Sequence, residues 1–339
     1  MDLIYTLYEP SLHLDAVVHL EKYLWEGFSE EKLKEVFAWK YPIGGLRNAF
    51  VALDGDRVVA FRGFFINTYQ YEGKTFPVAV LGDAVTDPEY QRRGIFSKLT
   101  EYALNYFQRQ GLFSILALSS NEKSSGGYVK LGWKPFSRKR INIRVVWRNI
   151  LPKFCRYKRR WECRLHKRGV VMEDFDGISE SLAQELAEYC ALQNSSKCIC
   201  LLKDKQYWLY RYRAPQWAYR FVVLRRENAI KGYACYLETE GHANGIKHTK
   251  ILDIAASDDR TFAYLIRAVE NRTSGYLMLI YTASLPEEDF RRIKKEFPIM
   301  KYERHHNASD EILVKPVCAT EEMAVSKLWS LSYIDIDSM

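Results

Sequence analysis

Apolar positions recur along this chain in two rhythms, one suited to buried strands and one to helices. Residues 78–86 are an apolar run carrying a single acid, Asp83, which predicts a buried strand. Asp87-Pro88 ends that run, because the residue before a proline avoids the α region. After a polar turn, Phe96, Leu99, Ala103 and Phe107 recur at three- and four-residue spacing, predicting a helix over 95–110. Residues 112–119 form a second buried run, followed by a Ser/Gly-rich helix start and then Tyr128-Val129-Lys130-Leu131-Gly132-Trp133. Upstream, residues 21–40 read as helices rich in Trp and Phe. There, two apolar runs (50–53 and 58–65) flank the charged turn Asp54-Gly55-Asp56-Arg57, a hairpin signal.

The same order returns later. Trp39-Lys40-Tyr41 and Phe50-Val51-Ala52-Leu53 lie 171 residues before Tyr210-Arg211-Tyr212 and Phe221-Val222-Val223-Leu224. The turn Arg225-Arg226-Glu227-Asn228 leads into a strand over 229–237. A strand (250–255), a helix (260–271), a strand (276–281), a helix (287–297) and a strand (311–315) follow. Both halves therefore read β-β-β-α-β-α-β, an α/β chain in which each half has a mixed, mostly antiparallel sheet flanked by helices.

Composition adds chemistry to one place in this pattern. The strand over 78–86 feeds Gln91-Arg92-Arg93-Gly94, and a helix starts directly after. Backbone N–H groups and a helix N-terminus then face one point, and Gly94 lets the backbone come close to an anion. The two arginines and the length of the loop suit a pyrophosphate. Gln91-Arg92-Arg93-Gly94-Ile95-Phe96 resembles the Q/R-x-x-G-x-G/A loop of the GNAT acyl-CoA N-acyltransferases, with Phe96 in place of the final small residue. Residues 128–133 resemble the family's Y-x-K-L-G-F signature, with Trp133 replacing Phe.

The resemblance implies an acetyl-CoA site. It places Gln91, Arg92, Arg93, Gly94, Ile95, Phe96 and Ser97 at the pyrophosphate, and the backbone of Ala84, Val85 and Thr86 along the pantetheine arm, in a gap between splayed strands. Asn121 matches a cofactor-touching position and Tyr128 the residue near the thioester sulfur, where it would protonate the departing thiolate. The corresponding loop of the second half, Ala256-Ser257-Asp258-Asp259-Arg260, has no Q-x-x-G and carries two acids, which repel a pyrophosphate. The expected arrangement is two GNAT-like domains in tandem: a cofactor-binding catalytic domain over 1–147, a basic linker over 148–170, and a degenerate copy over 171–339. Such tandem halves occur among peptidoglycan-bridge aminoacyltransferases and enhanced-intracellular-survival acetyltransferases.

Length and charge bound the remainder. The 339 residues, 47% of them apolar, suffice for two ordinary domains. The start MDLIYTLYEP lacks the basic stretch of a signal peptide, and no apolar run approaches the roughly 20 residues of a membrane span. Seven cysteines, an odd number in a long chain, suggest reduced thiols in a cytoplasmic protein, and Cys198-Ile199-Cys200 has the wrong spacing for zinc, so no metal is expected. Thirteen of the Lys and Arg residues fall within 138–168 against one acid, Glu162. That segment is +12 in a chain of net charge +8, leaving −4 elsewhere. Its interleaved Trp147, Phe154, Tyr157 and Trp161 fit either a solvated edge strand (141–147) plus linker or peripheral contact with an anionic membrane surface. Nucleic acid ranks last, since no recognition motif accompanies the charges. Nothing in the sequence specifies an oligomeric state.

The leading functional expectation is an acetyl-CoA-dependent N-acetyltransferase acting on a primary amine of a small molecule, amino sugar or peptide. Because an alkyl ammonium has a pKa near ~10, a base is useful, and Asp83 on the cofactor strand is the first candidate. Asp83 shares one strand face with Val85, and Glu72 and the carboxylate of Met339 are weaker candidates. The acidic stretch through Phe37, with eight acids and three bases, suits a cationic acceptor. The alternatives are an aminoacyltransferase using aminoacyl-tRNA, which would not need a CoA pyrophosphate loop, and a non-catalytic CoA-binding protein.

Overall fold

The computed structural model describes residues 2–22, 24–25, 27–43, 45–118, 120–150, 169–193, 197–240, 245–302, 308–309, 311–325 and 329–332. The first half runs β1 (Ile4–Leu7), α1 (Pro10–Glu21), α2 (Glu30–Lys40), β2 (Ala49–Asp54), β3 (Arg57–Tyr71), β4 (Lys74–Thr86), α3 (Ile95–Arg109), β5 (Ser114–Ala117), β6 (Ser120–Asn121), α4 (Glu122–Lys130), β7 (Lys134–Arg138) and β8 (Arg140–Val145). After α5 (Trp147–Ile150), the second half runs β9 (Val170–Asp176), α6 (Glu180–Gln193), β10 (Ile199–Leu201), α7 (Lys205–Tyr212), β11 (Arg220–Arg226), β12 (Ala229–Glu240), β13 (Lys247–Ala256), α8 (Asp259–Arg272), β14 (Leu277–Ser284), α9 (Glu287–Glu296), β15 (Ile299–Tyr302), β16 (Ala308–Ser309), β17 (Glu311–Pro316), α10 (Glu321–Ala324) and β18 (Trp329–Ser332).

Turn chemistry accounts for the hairpins. Glu72 (φ 48°) and Gly73 (φ 75°) join β3 to β4, and Glu227 (φ 53°) and Asn228 (φ 64°) join β11 to β12, two left-handed residues in each case. Helix α3 buries Ile95, Leu99, Thr100, Ala103 and Phe107, the spacing read from the sequence. They pack on Phe50, Phe64, Ile115 and Trp133 beneath the first sheet face. Helices α1 and α2 cover the other face through Val17, Val36 and Phe37, which meet Phe61 and Val85.

The two halves share one sheet, ordered β7-β17-β5-β4-β3-β10-β18-β14-β13-β12-β11-β9. Each half lends a late strand to the other. Strand β17 inserts between β5 and β7, with Leu313 opposite Ala117 and Ile312 opposite Ser137. Strand β8 inserts between β14 and β15, with Ile143 opposite both Leu279 and Ile299. Residues 141–147, read as a solvated edge, thus include an internal strand. The pattern of apolar positions reports burial but not which sheet supplies the neighbours. The repeated motif also closes on itself: Trp39 Nε1 donates to the Tyr210 carbonyl oxygen (2.8 Å), and the two rings stack 5.4 Å apart.

Three of the described basic residues of the run point inward or into pairs. Lys139 is buried, Arg144 pairs with Glu270 and Glu296, and Arg148 donates to the Thr273 carbonyl oxygen. Residues 151–168 lie outside the described residues. Among the described residues, Cys190, Cys198, Cys200, Cys235 and Cys318 form no disulfide, and no helix is long and apolar enough to cross a membrane.

Candidate active site

The loop before α3 is built as an anion cradle. Asp87 accepts a hydrogen bond from the Glu89 backbone N–H (2.9 Å) and an ion pair from Arg57 (2.7 Å), which fixes the turn after β4. Tyr90 donates to Asp54 (2.7 Å), Gln91 Nε2 to the Thr86 carbonyl oxygen (3.2 Å), and Arg93 Nη2 to the Glu89 carbonyl oxygen (2.8 Å). Arg92 (φ 63°) and Gly94 (φ 74°) are both left-handed, which turns successive amides toward one side. Gly94 is the N-cap of α3 and no side chain caps the helix, so the first-turn amides of Ile95, Phe96 and Ser97 await an acceptor from outside. A Cβ on Gly94 would meet nothing within 4 Å, so the space in front of the cradle is open.

The gap expected beside this loop is present. Strand β4 pairs with β5 only from Val78 opposite Ser114 to Val80 opposite Leu116. Beyond that point β4 continues to Thr86 with β3 on one edge, and its other edge, including Ala84, Val85 and Thr86, is left by β5. Backbone groups on such an edge can pair with an extended amide-bearing ligand as with a strand. The loop and the free edge together fit a CoA thioester. Asn121 sits in β6, paired with Ala308, and its side chain lies outside the described residues.

Asp83 faces α2 together with Val85. Its carboxylate accepts from Lys40 Nζ (3.0 Å to Oδ2) and from the Tyr41 hydroxyl (2.6 Å), while its backbone N–H donates back to that hydroxyl (3.2 Å). Arg62, on the neighbouring strand, donates to the Gly82 carbonyl oxygen (3.4 Å) and not to Asp83. Gly63 sits at a bulge in β3 between Arg62 and Phe64, and its missing side chain leaves the volume that the Tyr41 phenol fills. Lys40 is 1% exposed and lies 4.6 Å from the centre of the Trp25 ring. Glu21 completes the cluster. It is fully buried with no well-formed hydrogen bond to either oxygen, and burial followed by the charge of Asp83 pushes its carboxyl well above the usual carboxylate range. Lys40 and the Trp25 indole offset part of that rise.

In the sequence, Lys40 and Tyr41 stand out only as part of the repeated Trp39-Lys40-Tyr41 motif. The signal available was their position at the end of an amphipathic helix in a motif that recurs. Glu72, by contrast, is in the exposed turn at the far end of β4, eleven residues from Asp83, or roughly 35 Å along an extended strand. That distance removes it from the site. Met339 lies outside the described residues.

Tyr128 is buried in α4, between the Phe96 ring (5.6 Å) and the Trp133 ring (5.3 Å). Phe96, the departure from the family loop, packs across to α4, where its ring lies beside Gly127 and Tyr128. The Arg62 guanidinium lies over Phe64, Phe96 and Tyr128 at 4.8, 5.7 and 5.5 Å, a cation among three rings. No cluster of His, Cys, Asp or Glu among the described residues is placed to hold a metal.

Residues 11–136 match the family model described as an acetyltransferase (GNAT) domain. Residues 11–136 carry a GNAT domain. No curated protein is a significant match to the sequence. Among solved structures, a probable N-acyltransferase of unknown function from Enterococcus faecalis has a TM-score of 0.63 at 11% identity, covering 94% of this chain and 73% of that one. A GCN5-related N-acetyltransferase from Anabaena variabilis has a TM-score of 0.63 at 14% identity, covering 93% and 73%. A tandem GNAT protein from the clavulanic acid biosynthesis pathway has a TM-score of 0.54 at 11% identity, covering 94% of this chain and all of that one (100%). The whole chain therefore has a tandem GNAT fold.

Proposed function

We propose that this chain is an acetyl-CoA-dependent N-acetyltransferase that transfers the acetyl group to a primary amine by direct attack. The carrying observation is the uncapped N-terminus of α3 at the head of the gap where β4 leaves β5. In this reading residues 1–147 form the catalytic unit, 148–170 the connection, and 171–339 a copy without cofactor chemistry. The thioester supplies an activated acyl group, so the enzyme contributes mainly alignment.

Gln91 to Ser97 hold the pyrophosphate through backbone amides and the arginine charge, and Ala84 to Thr86 hold the arm along the strand edge. Asp83 takes the proton from the attacking ammonium, directly or through a water. Lys40 and Tyr41 donate mainly to Oδ2, which leaves acceptor capacity on Oδ1. Tyr128 holds a proton for the sulfur, and the adjoining Phe96 ring and Arg62 guanidinium fix its ring.

A thermal-shift titration tests this reading. Acetyl-CoA should raise Tm in a saturable way, with CoA close behind. No response to either thioester or thiol would overturn the proposal and return the chain to the aminoacyl-tRNA reading.

A further inference from the structure

A cavity bounded by described residues lies where the halves meet, outside the cofactor gap. It has a volume of about 540 Å³ and is walled by β7 (Pro135 to Arg138), Arg140, the end of β14 (Ala283 to Leu285) and Glu311. Both halves build it: Ser137 Oγ donates to the Ala283 carbonyl oxygen at 2.7 Å, holding β7 against β14. The size suits a small molecule.

Two guanidinium groups line this cavity, and neither is paired with a carboxylate among the described residues. The Arg138 side chain makes no hydrogen bond or ion pair among the described residues, even with its register partner Glu311. Arg140 lies 5.2 Å from the centre of the Phe290 ring, and its Nε is buried without a hydrogen-bond partner. Arg144, one turn of the pleat further on, is paired with both Glu270 and Glu296, so the run does not lack carboxylates in general. Leaving a buried charged donor unmet costs about 1–3 kcal/mol, which a bound anion would recover. A guanidinium fork matches the two oxygens of a carboxylate or phosphate.

We propose that this junction cavity seats a carboxylate or phosphate group of the amine acceptor, held by Arg138 and Arg140. The assignment to the acceptor rests on the acetyl-transfer reading above and on register. Glu311 begins the strand whose Leu313 lies opposite Ala117, at the end of β5 where the gap opens. Strand β7 is two strand spacings from β5, roughly 10 Å. An acceptor anchored by its acidic end in the cavity can extend its amine toward Asp83 and the gap.

The test uses the full chain and two probes, inorganic phosphate and acetate, in thermal shift and calorimetry at fixed ionic strength. At least one anion should bind, and Arg138→Gln/Arg140→Gln should weaken it at least about tenfold, ~1.4 kcal/mol. Because the double variant removes charge at a junction, Arg138→Lys/Arg140→Lys is measured beside it and should retain binding better than the glutamine pair. A phosphate response alone marks a phosphorylated amine, and an acetate response alone a carboxylate-bearing one. No response to either anion, or an equal response in wild type and the glutamine variant, would overturn the site. Acetyl-CoA is titrated in parallel: if the anion response depends on the arginines but acetyl-CoA does not bind, the anion site stands and the acetyl-transfer reading falls.

Discussion

The two halves open the same gap and fill it differently. In the first, β4 leaves β5 after Val80, the edge beyond it is unoccupied by strand, and α3 starts at Gly94 without a side-chain cap. In the second, β13 leaves β14 after Ile251, but the chain itself takes the vacated edge. Thr282 of β14 pairs with Arg140 of β8 on one side and with Ser332 of β18 on the other, where β13 has departed. What remains there is a cavity of about 290 Å³ lined by Leu252 to Ala256, Thr282 and Ser330. The head of α8 is closed as well, since Asp258 accepts from the Thr261 backbone N–H (2.8 Å) and consumes the site a phosphate would use. Strand order produces the gap twice; helix capping and a terminal strand decide which one stays open.

A second parallel runs through the acids. Asp83 is held by Lys40 and Tyr41, and Asp253 of β13 by Lys203 (2.8 Å) and Tyr233 (2.9 Å). Asp253 is 3% exposed against 10% for the Asp83 side chain. The greater exposure makes Asp83 reachable, and the comparison can be broken by exchanging charge for amide. Asp83→Asn should lower kcat by about 10²–10⁴-fold with acetyl-CoA affinity unchanged, whereas Asp253→Asn should leave kcat near wild type. The second change instead strands Lys203 and should cost about 3–5 kcal/mol in denaturant unfolding. Equal kinetic loss in both variants would end the distinction between a working acid and a structural one.

The helix heads give a smaller contrast. Gly94→Val places a branched side chain at a left-handed position in front of the cradle. It should weaken acetyl-CoA about a hundredfold, ~2.7 kcal/mol, by calorimetry. Asp258→Ala should leave that affinity unaltered and cost about 1 kcal/mol of stability as a lost cap. Burial tends to raise the Asp258 carboxyl, but hydrogen bonds from Thr261 and Ser257 outweigh it and hold it below its ordinary value. Its contribution is therefore present at neutral pH and lost as pH falls through the folded value, so the variant should lose less stability on acidification than wild type.

The smallest effect concerns what stands beside each trio. Cys190, next to Tyr233, is pushed by burial up to about 11 and stays a neutral thiol. Glu21, next to Lys40, is raised well above its ordinary value, chiefly by burial. A raised carboxyl favours folding fully below the unfolded value and progressively less as pH climbs toward the folded one. Glu21→Gln should therefore stabilise by about 1–3 kcal/mol at neutral pH, with little gain in acid. A variant destabilised at neutral pH would show that Glu21 carries a charge that Lys40 needs.

The sequence alone determined local structure and the position of the loop before α3. Periodicity placed α3 and its buried face, Asp87-Pro88 placed the break, and Gly94 marked the left-handed turn, because each is a property of a few adjacent residues. The repeat was legible for the same reason. Only tertiary structure decided that β8 and β17 change places, that β18 fills the second gap, and that Lys40, Tyr41 and Glu21 meet Asp83. Those contacts join residues from 42 to more than a hundred positions apart, and burial patterns state that a strand is covered without stating by what. The opposite fates of two similar gaps therefore lie in long-range pairing, beyond the reach of local pattern.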